Sequence, residues 1–198
     1  ITFSKNEISQ ILNAAQSFAD GRYYAFFLVA VTTGMRLGEI LALQWHDIDP
    51  RKREIHISRN LQQTKTGIII NPPKTRAGKR IITVPSETMS AILSIKKSRK
   101  AEAIDGLIFR TRTNHPISPR NIEHSWKRLM KKLDIPYRNF HVIRHTHATD
   151  LLAIGVPIVE VARRLGHARI SHTLELYGHA IPSYDKEIAI KVGNLYLE

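Results

Sequence analysis

The chain has 198 residues, 42% of them hydrophobic, which suits one globule with a real core and excludes a disordered tail. Lys and Arg number 30 against 17 Asp and Glu, a formal net charge of +13, so a polyanion is the natural partner. The lack of cysteine excludes disulfides, thiolate zinc sites and cysteine nucleophiles, and no apolar run approaches the roughly 20 residues that span a bilayer, so no membrane partner is expected.

Ser4-Lys5-Asn6-Glu7 has the form of a capping box, and Ile8, Ile11, Leu12 and Ala15 follow at helical spacing, which predicts a first amphipathic helix. From Tyr23 to Thr33 the chain is apolar almost all round and predicts a buried helix stopped by Gly34, with a short helix over Leu37 to Leu43 next. Between about Glu54 and Val84 the character changes. Ile55 and Ile57 alternate with polar residues, Ile68-Ile69-Ile70 is β-branched, and Arg80 to Val84 is a third strand, which together predict a small antiparallel sheet of three strands. Pro72-Pro73 ends the second of these, leaving Lys74 to Lys79 as a basic turn.

Helical spacing returns from Glu87 to about Lys97, and again after Ser118-Pro119, with Ile122, Trp126, Leu129, Met130 and Leu133 as the core stripe. His141 to Ala153 and Pro157 to Leu165 predict two more helices, ending at Gly155 and Gly166, then a short helix carrying Tyr177 and an amphipathic segment from about Ser183 to Leu195. The fold class is α+β, mostly α-helical with a small antiparallel sheet, in one domain over residues 1–198. The start at Ile1 rather than Met makes an excised domain the expectation, with partner segments elsewhere.

His141, Arg144 and His145 share one helix face, with Ala148 and Leu152 continuing it as packing. Arg36 stands at a glycine-broken junction between helices, where Glu39, one turn on, is placed to hold its guanidinium. Two arginines meet the demand of phosphodiester cleavage, whose transition state gathers negative charge on the nonbridging oxygens. Tyr177 offers a nucleophile whose ordinary pKa of about 10 requires a base, for which His141 is the candidate, while His167 bonds a phosphate oxygen. The leaving hydroxyl needs an acid, and Lys74 is the first choice, with Lys65 in Thr64-Lys65-Thr66-Gly67 as the alternative. His141 and His145 also have the spacing of helical zinc ligands, with His147 nearby. The glutamate of a zinc protease is absent between them and an arginine stands beside them, so no metal is expected.

The ordered set Arg36, Lys74, His141-x-x-Arg144, His167 and Tyr177 resembles the catalytic domain of the tyrosine recombinases, especially integrases of phages and conjugative transposons. Thr33-Gly34-Met35-Arg36-Leu37-Gly38-Glu39, Pro73-Lys74-Thr75 followed by Arg80, Arg144-His145-Thr146-His147-Ala148-Thr149 and Leu165-Gly166-His167 carry the likeness beyond the catalytic letters. The resemblance implies two transesterifications on double-stranded DNA through a 3′-phosphotyrosyl intermediate, with neither cofactor nor metal. It also implies a homotetramer on two duplexes, accessory directionality proteins, action in the bacterial cytoplasm at the nucleoid, and a core-binding and an arm-binding domain upstream of this chain. In such enzymes the tail packs on a neighbouring protomer, whereas Ile188, Ile190, Val192 and Leu195 are equally suited to docking in cis. Val142 departs from the polar residue many relatives carry there. A type IB topoisomerase and a non-catalytic DNA-binding module are the alternatives.

Overall fold

The computed structural model describes residues 2–19, 21, 23–73, 75–98, 106–183 and 185–196. Lys74 lies outside them. Nine helices are found among the described residues: α1 (Lys5–Ala15), α2 (Tyr24–Thr33), α3 (Leu37–Leu41), α4 (Ser86–Ser98), α5 (Pro119–Lys132), α6 (Val142–Ala153), α7 (Ile158–Leu165), α8 (Ile170–Tyr177) and α9 (Asp185–Tyr196). The strands are β1 (Ile48–Asp49), β2 (Glu54–Ile57), β3 (Asn60–Thr64), β4 (Gly67–Asn71) and β5 (Arg80–Thr83).

Local chemistry accounts for several of the helix ends. Ser4 accepts from the Glu7 amide at 3.1 Å and Glu7 reaches back to the Ser4 amide at 2.7 Å, so two orphan donors of α1 are met reciprocally. Glu7 also pairs with Arg138, whose hydrogen bond, outweighing partial burial, holds the carboxyl down at about 2. Ser118 caps α5 with Pro119 in its first turn, and α2 and α7 both end in a left-handed glycine, Gly34 and Gly166.

α2 is the central helix, packed against α1, α3, α4 and α6. Its Phe26 and Phe27 meet Phe109, Trp126 and Phe140 at centroid separations of 5.1 to 6.0 Å, the aromatic heart of the main core. Burying side chains of this size stabilises the fold by about 1.5–3 kcal/mol each. A second, smaller cluster joins Ala148 and Leu152 of α6, Val161 and Leu165 of α7, and Tyr177 of α8. That cluster fixes the three helices that carry the site.

The three-stranded antiparallel sheet has the order β1-β2-β5, with Ile55 opposite Ile82. Its third member is Ile48–Asp49 rather than the expected Ile68-Ile69-Ile70 stretch, which instead pairs with β3 in a separate hairpin, Leu61 facing Ile70. β-branched composition marks a strand without naming its partner, and β3, with Leu61 its only buried side chain, lacks the apolar alternation that would have announced it. α9 has no buried side chain among the described residues, and Ile188, Ile190, Val192 and Leu195 are exposed, so no packing in cis buries its apolar positions. No helix among the described residues is long and apolar enough to cross a membrane.

Candidate active site

Gly34 ends α2 with φ of +63°, and the chain re-enters α3 two residues later with Arg36 extended at the N-cap. Glu39, 3% exposed, accepts from the Arg36 amide and from Arg36 Nη1, each at 2.9 Å. It also takes two hydrogen bonds from Arg80 of β5, at 3.1 Å from Nη1 and 2.8 Å from Nη2. Arg80 is the more buried partner, its side chain 5% exposed against 41% for Arg36. Burial alone would raise the Glu39 pKa, but the hydrogen bonds and charges of Arg80 and Arg36 together carry it below the ordinary value, so it is an anion at neutral pH.

Arg144, on α6, is buried and donates to two helix-terminal carbonyls, Gly34 O and Leu165 O, both at 2.8 Å. These are unpaired acceptors at the negative ends of α2 and α7, where a guanidinium is favoured. Burial, then the nearby Arg36 charge, pushes its pKa down to about 9, which leaves it a cation at pH 7.

His141 lies at the exposed N-cap of α6, and its ring meets the His145 ring edge-on at 4.9 Å. His145 in turn lies 5.4 Å from the Tyr177 ring. Partial desolvation, followed by the cost of a second positive charge beside His145, Arg144 and Arg36, brings His141 down to about 4 although the residue is exposed. The same two causes, burial and Arg144, lower His145. His167, in the turn after α7, bonds Thr173 Oγ1 through Nδ1 at 2.7 Å and stacks parallel to Tyr177 at 6.5 Å. Burial and the surrounding cations, Arg144 first, hold it at about 3. The histidines of the site are therefore neutral in the free chain, because burial first, and then the positive charge of the arginines, disfavours their protonated form.

Tyr177 closes α8 and is 2% exposed, its ring seated on the α6–α7 cluster. Burial raises its pKa, while Arg144 and Arg36 act in the opposite sense. Its hydroxyl makes no hydrogen bond among the described residues. Beside Arg36 opens a cleft of about 270 Å³, lined also by Glu39, Asn60, Gln62, Pro72, Pro73, Thr75 and Gly78. Pro73 and Thr75 are the chain neighbours of Lys74. Lys65 sits at the exposed turn between β3 and β4 and does not line this cleft. The fold thus gathers Arg36, Glu39, Arg144, His145, His167 and Tyr177 from α3, α6, α8 and the turn after α7, with His141 at the edge. Sequence reasoning gave no structural role to Arg80, which appeared only as part of a signature. It missed Thr173, the partner of His167, altogether, since a threonine inside a helix carries no signal of its own.

A model of the phage integrase family matches residues 2–183. The chain belongs to the phage integrase family. It is 32% identical to a XerC-like tyrosine recombinase of Caldanaerobacter subterraneus subsp. tengcongensis, over 99% of this chain and 54% of that protein. The transposase of transposon Tn916 from Enterococcus faecalis is 30% identical over 84% of this chain and 44% of its own length. Among solved structures, the Tn1549 transposon integrase in complex with circular intermediate DNA superposes with a TM-score of 0.85 at 25% identity, covering 98% of this chain and 67% of that one. The fold of this integrase-family chain is that of a tyrosine recombinase catalytic domain, and it spans about half the length of the curated relatives it matches. These relatives are named as a recombinase and a transposase, and neither as a topoisomerase.

Proposed function

We propose that residues 1–198 form the catalytic domain of a site-specific DNA recombinase that integrates or excises a mobile element, joined in the whole protein to upstream core-binding and arm-binding domains. The observation that carries this reading is that Arg144 and Arg36 both act electrostatically on the buried Tyr177, whose hydroxyl makes no hydrogen bond among the described residues, while Glu39 is the one carboxylate acting on Arg144 among those residues. A phosphodiester is the anion such a cluster lacks. Arg36 and Arg144 bind the nonbridging oxygens, Arg144 pre-aimed by its two carbonyl bonds, and His167 donates to a phosphate oxygen from the nitrogen that Thr173 leaves open.

Tyr177 Oη then attacks phosphorus as its proton passes toward the His145–His141 pair, the P–O5′ bond breaks, and the 5′ oxygen takes a proton from Lys74. The product is a 3′-phosphotyrosyl bond and a free 5′-hydroxyl, and a 5′-hydroxyl of another strand reverses the step to reseal. The incoming phosphate raises the pKa of His141 and His167, since its negative charge offsets the arginine field that, after burial, depresses them. Double-stranded DNA is the substrate and a homotetramer on two duplexes the working assembly, aided by accessory directionality proteins and acting at the nucleoid in the bacterial cytoplasm. The exposed apolar positions of α9 support exchange of the tail with a neighbouring protomer rather than docking in cis.

The test is to incubate the full-length protein with nicked suicide substrates carrying element ends. A covalent protein–DNA adduct that disappears in Tyr177→Phe is expected. No adduct on any such end, or one that survives in Tyr177→Phe, overturns the assignment.

A further inference from the structure

Arg164 fills the last turn of α7, and its guanidinium ties that turn to two other elements. Nη2 donates to Thr32 O at the end of α2 at 2.8 Å, and longer bonds of 3.4 Å reach Thr83 O at the end of β5. Nε donates to His147 Nε2 on α6 at 3.2 Å, while the Arg164 carbonyl accepts from Arg80 Nε at 2.7 Å. His147 Nδ1 lies 2.9 Å from Val31 O. A carbonyl only accepts and an arginine Nε–H only donates, so His147 must carry its proton on Nδ1 and present a bare Nε2. Burial and the Arg164 charge agree with this neutral form, placing His147 at about 4.

The next three residues belong to the site. Leu165 O receives Arg144, Gly166 lies so close to Arg80 that a Cβ there would fall 2.7 Å from Nη1, and His167 follows. Their register is therefore set from one side by Arg80 and from the other by the Arg164 side chain. We propose that Arg164, with His147 as its acceptor, is a positioning residue for strand cleavage: it holds the end of α7 so that the Leu165 carbonyl and His167 stay in register with Arg144 and Tyr177. This rests on the strand-transfer reading above. Arg164 touches no reacting atom in this scheme, and its effect falls on the cleavage rate rather than on DNA affinity.

The experiment compares full-length wild type, Arg164→Ala, Arg164→Lys, His147→Gln and Ile11→Ala, the last a core change in α1, which packs on α2 and α5 and carries no site residue. Single-turnover adduct formation on the suicide substrate, DNA affinity, melting temperature and the His147 tautomer by nitrogen-15 NMR are measured. Wild-type protein without an adduct defeats the functional reading itself and is thereby told apart from failure of this proposal. Given a wild-type adduct, Arg164→Ala is expected to cleave about 10²-fold more slowly, the scale of a displacement of about 1 Å at a reacting group, with DNA affinity unchanged and the Nδ1–H tautomer no longer fixed. Arg164→Lys recovers part of the rate, since an ammonium still reaches one acceptor. Ile11→Ala lowers the melting temperature yet keeps the rate. The proposal is overturned if Arg164→Ala cleaves like wild type, if its loss matches that of Ile11→Ala measured equally far below melting, or if affinity falls as much as rate. If Arg164→Ala does not fold, Arg164→Lys and His147→Gln decide: slowing of about tenfold or more at intact affinity supports the latch, and unchanged rates refute it.

Discussion

Glu39→Gln isolates the charge that holds the arginine cluster together. Glu39 receives four hydrogen bonds, two from Arg36 and two from Arg80, and is 3% exposed. Glutamine keeps one acceptor oxygen but turns an amide donor toward guanidinium donors, so at least two charge-assisted bonds are lost at about 1.5 kcal/mol or more each. Removing one partner of a buried pair costs about 3–5 kcal/mol, and the retained acceptor puts the loss near the lower end, about 3 kcal/mol. At about 2–4 °C per kcal/mol for a chain of this size, the melting temperature at pH 7 should fall by roughly 6–12 °C. The sign with pH follows from the depressed native pKa. The Glu39 contribution is fully present above its unfolded value, about 4.5, and fades as pH drops through the lower native value. Glutamine does not titrate, so the gap between the two proteins should narrow below about pH 4.5. Thermal melts from pH 7 to pH 3 check both points. A difference under about 0.5 kcal/mol at pH 7, or a gap that holds constant into acid, would refute the reasoning.

Tyr177→Phe should abolish the covalent adduct while leaving the denaturation midpoint within about 0.5 kcal/mol of wild type, because no hydrogen bond is lost among the described residues. His141 and His167 should stay neutral in the free chain down to about 4 and about 3. Unfolded histidines take up protons below about 6.5 and these native ones do not, so stability should decline as pH falls from there; duplex carrying the scissile phosphate should raise the His167 pKa, read by NMR titration. Gly34→Ala forces a side chain into φ of +63° and sets its Cβ 2.6 Å from His147 Cδ2, which should cost about 2–4 kcal/mol in a urea melt. Arg36→Ala should reduce the slope of log K against log salt by about 1 in a DNA-binding titration, as befits one lost phosphate contact.

Most helices were legible because their signals are local. The Ser4–Glu7 box, Ser118-Pro119, and Gly34 and Gly166 act within one turn of where they stand. Strand pairing was not, since Ile68 to Ile70 announces a strand equally well beside β2 or beside β3, and only the chain's path chooses. The site divides in the same way. Arg36, Arg144, His167 and Tyr177 were legible as an ordered set of chemical types, and Glu39 as the neighbour of Arg36 one turn away. Arg80, Thr173 and Arg164 were not, because each acts on a group set by folding rather than by spacing: Arg80 on Glu39, Thr173 on His167, Arg164 on the carbonyl ends of α2 and β5.

The sequence by itself therefore determined the residue types that the proposed phosphodiester cleavage uses, the helices that carry them and the basic net charge. What only the tertiary structure decided is their electrostatic state. Whether a histidine is charged, a tyrosine buried or an arginine held between two carbonyls depends on how many cations share a desolvated cleft and which helix ends point into it. Those are sums over neighbours brought together from across the chain, from Gly34 to Tyr177, and no local pattern contains them.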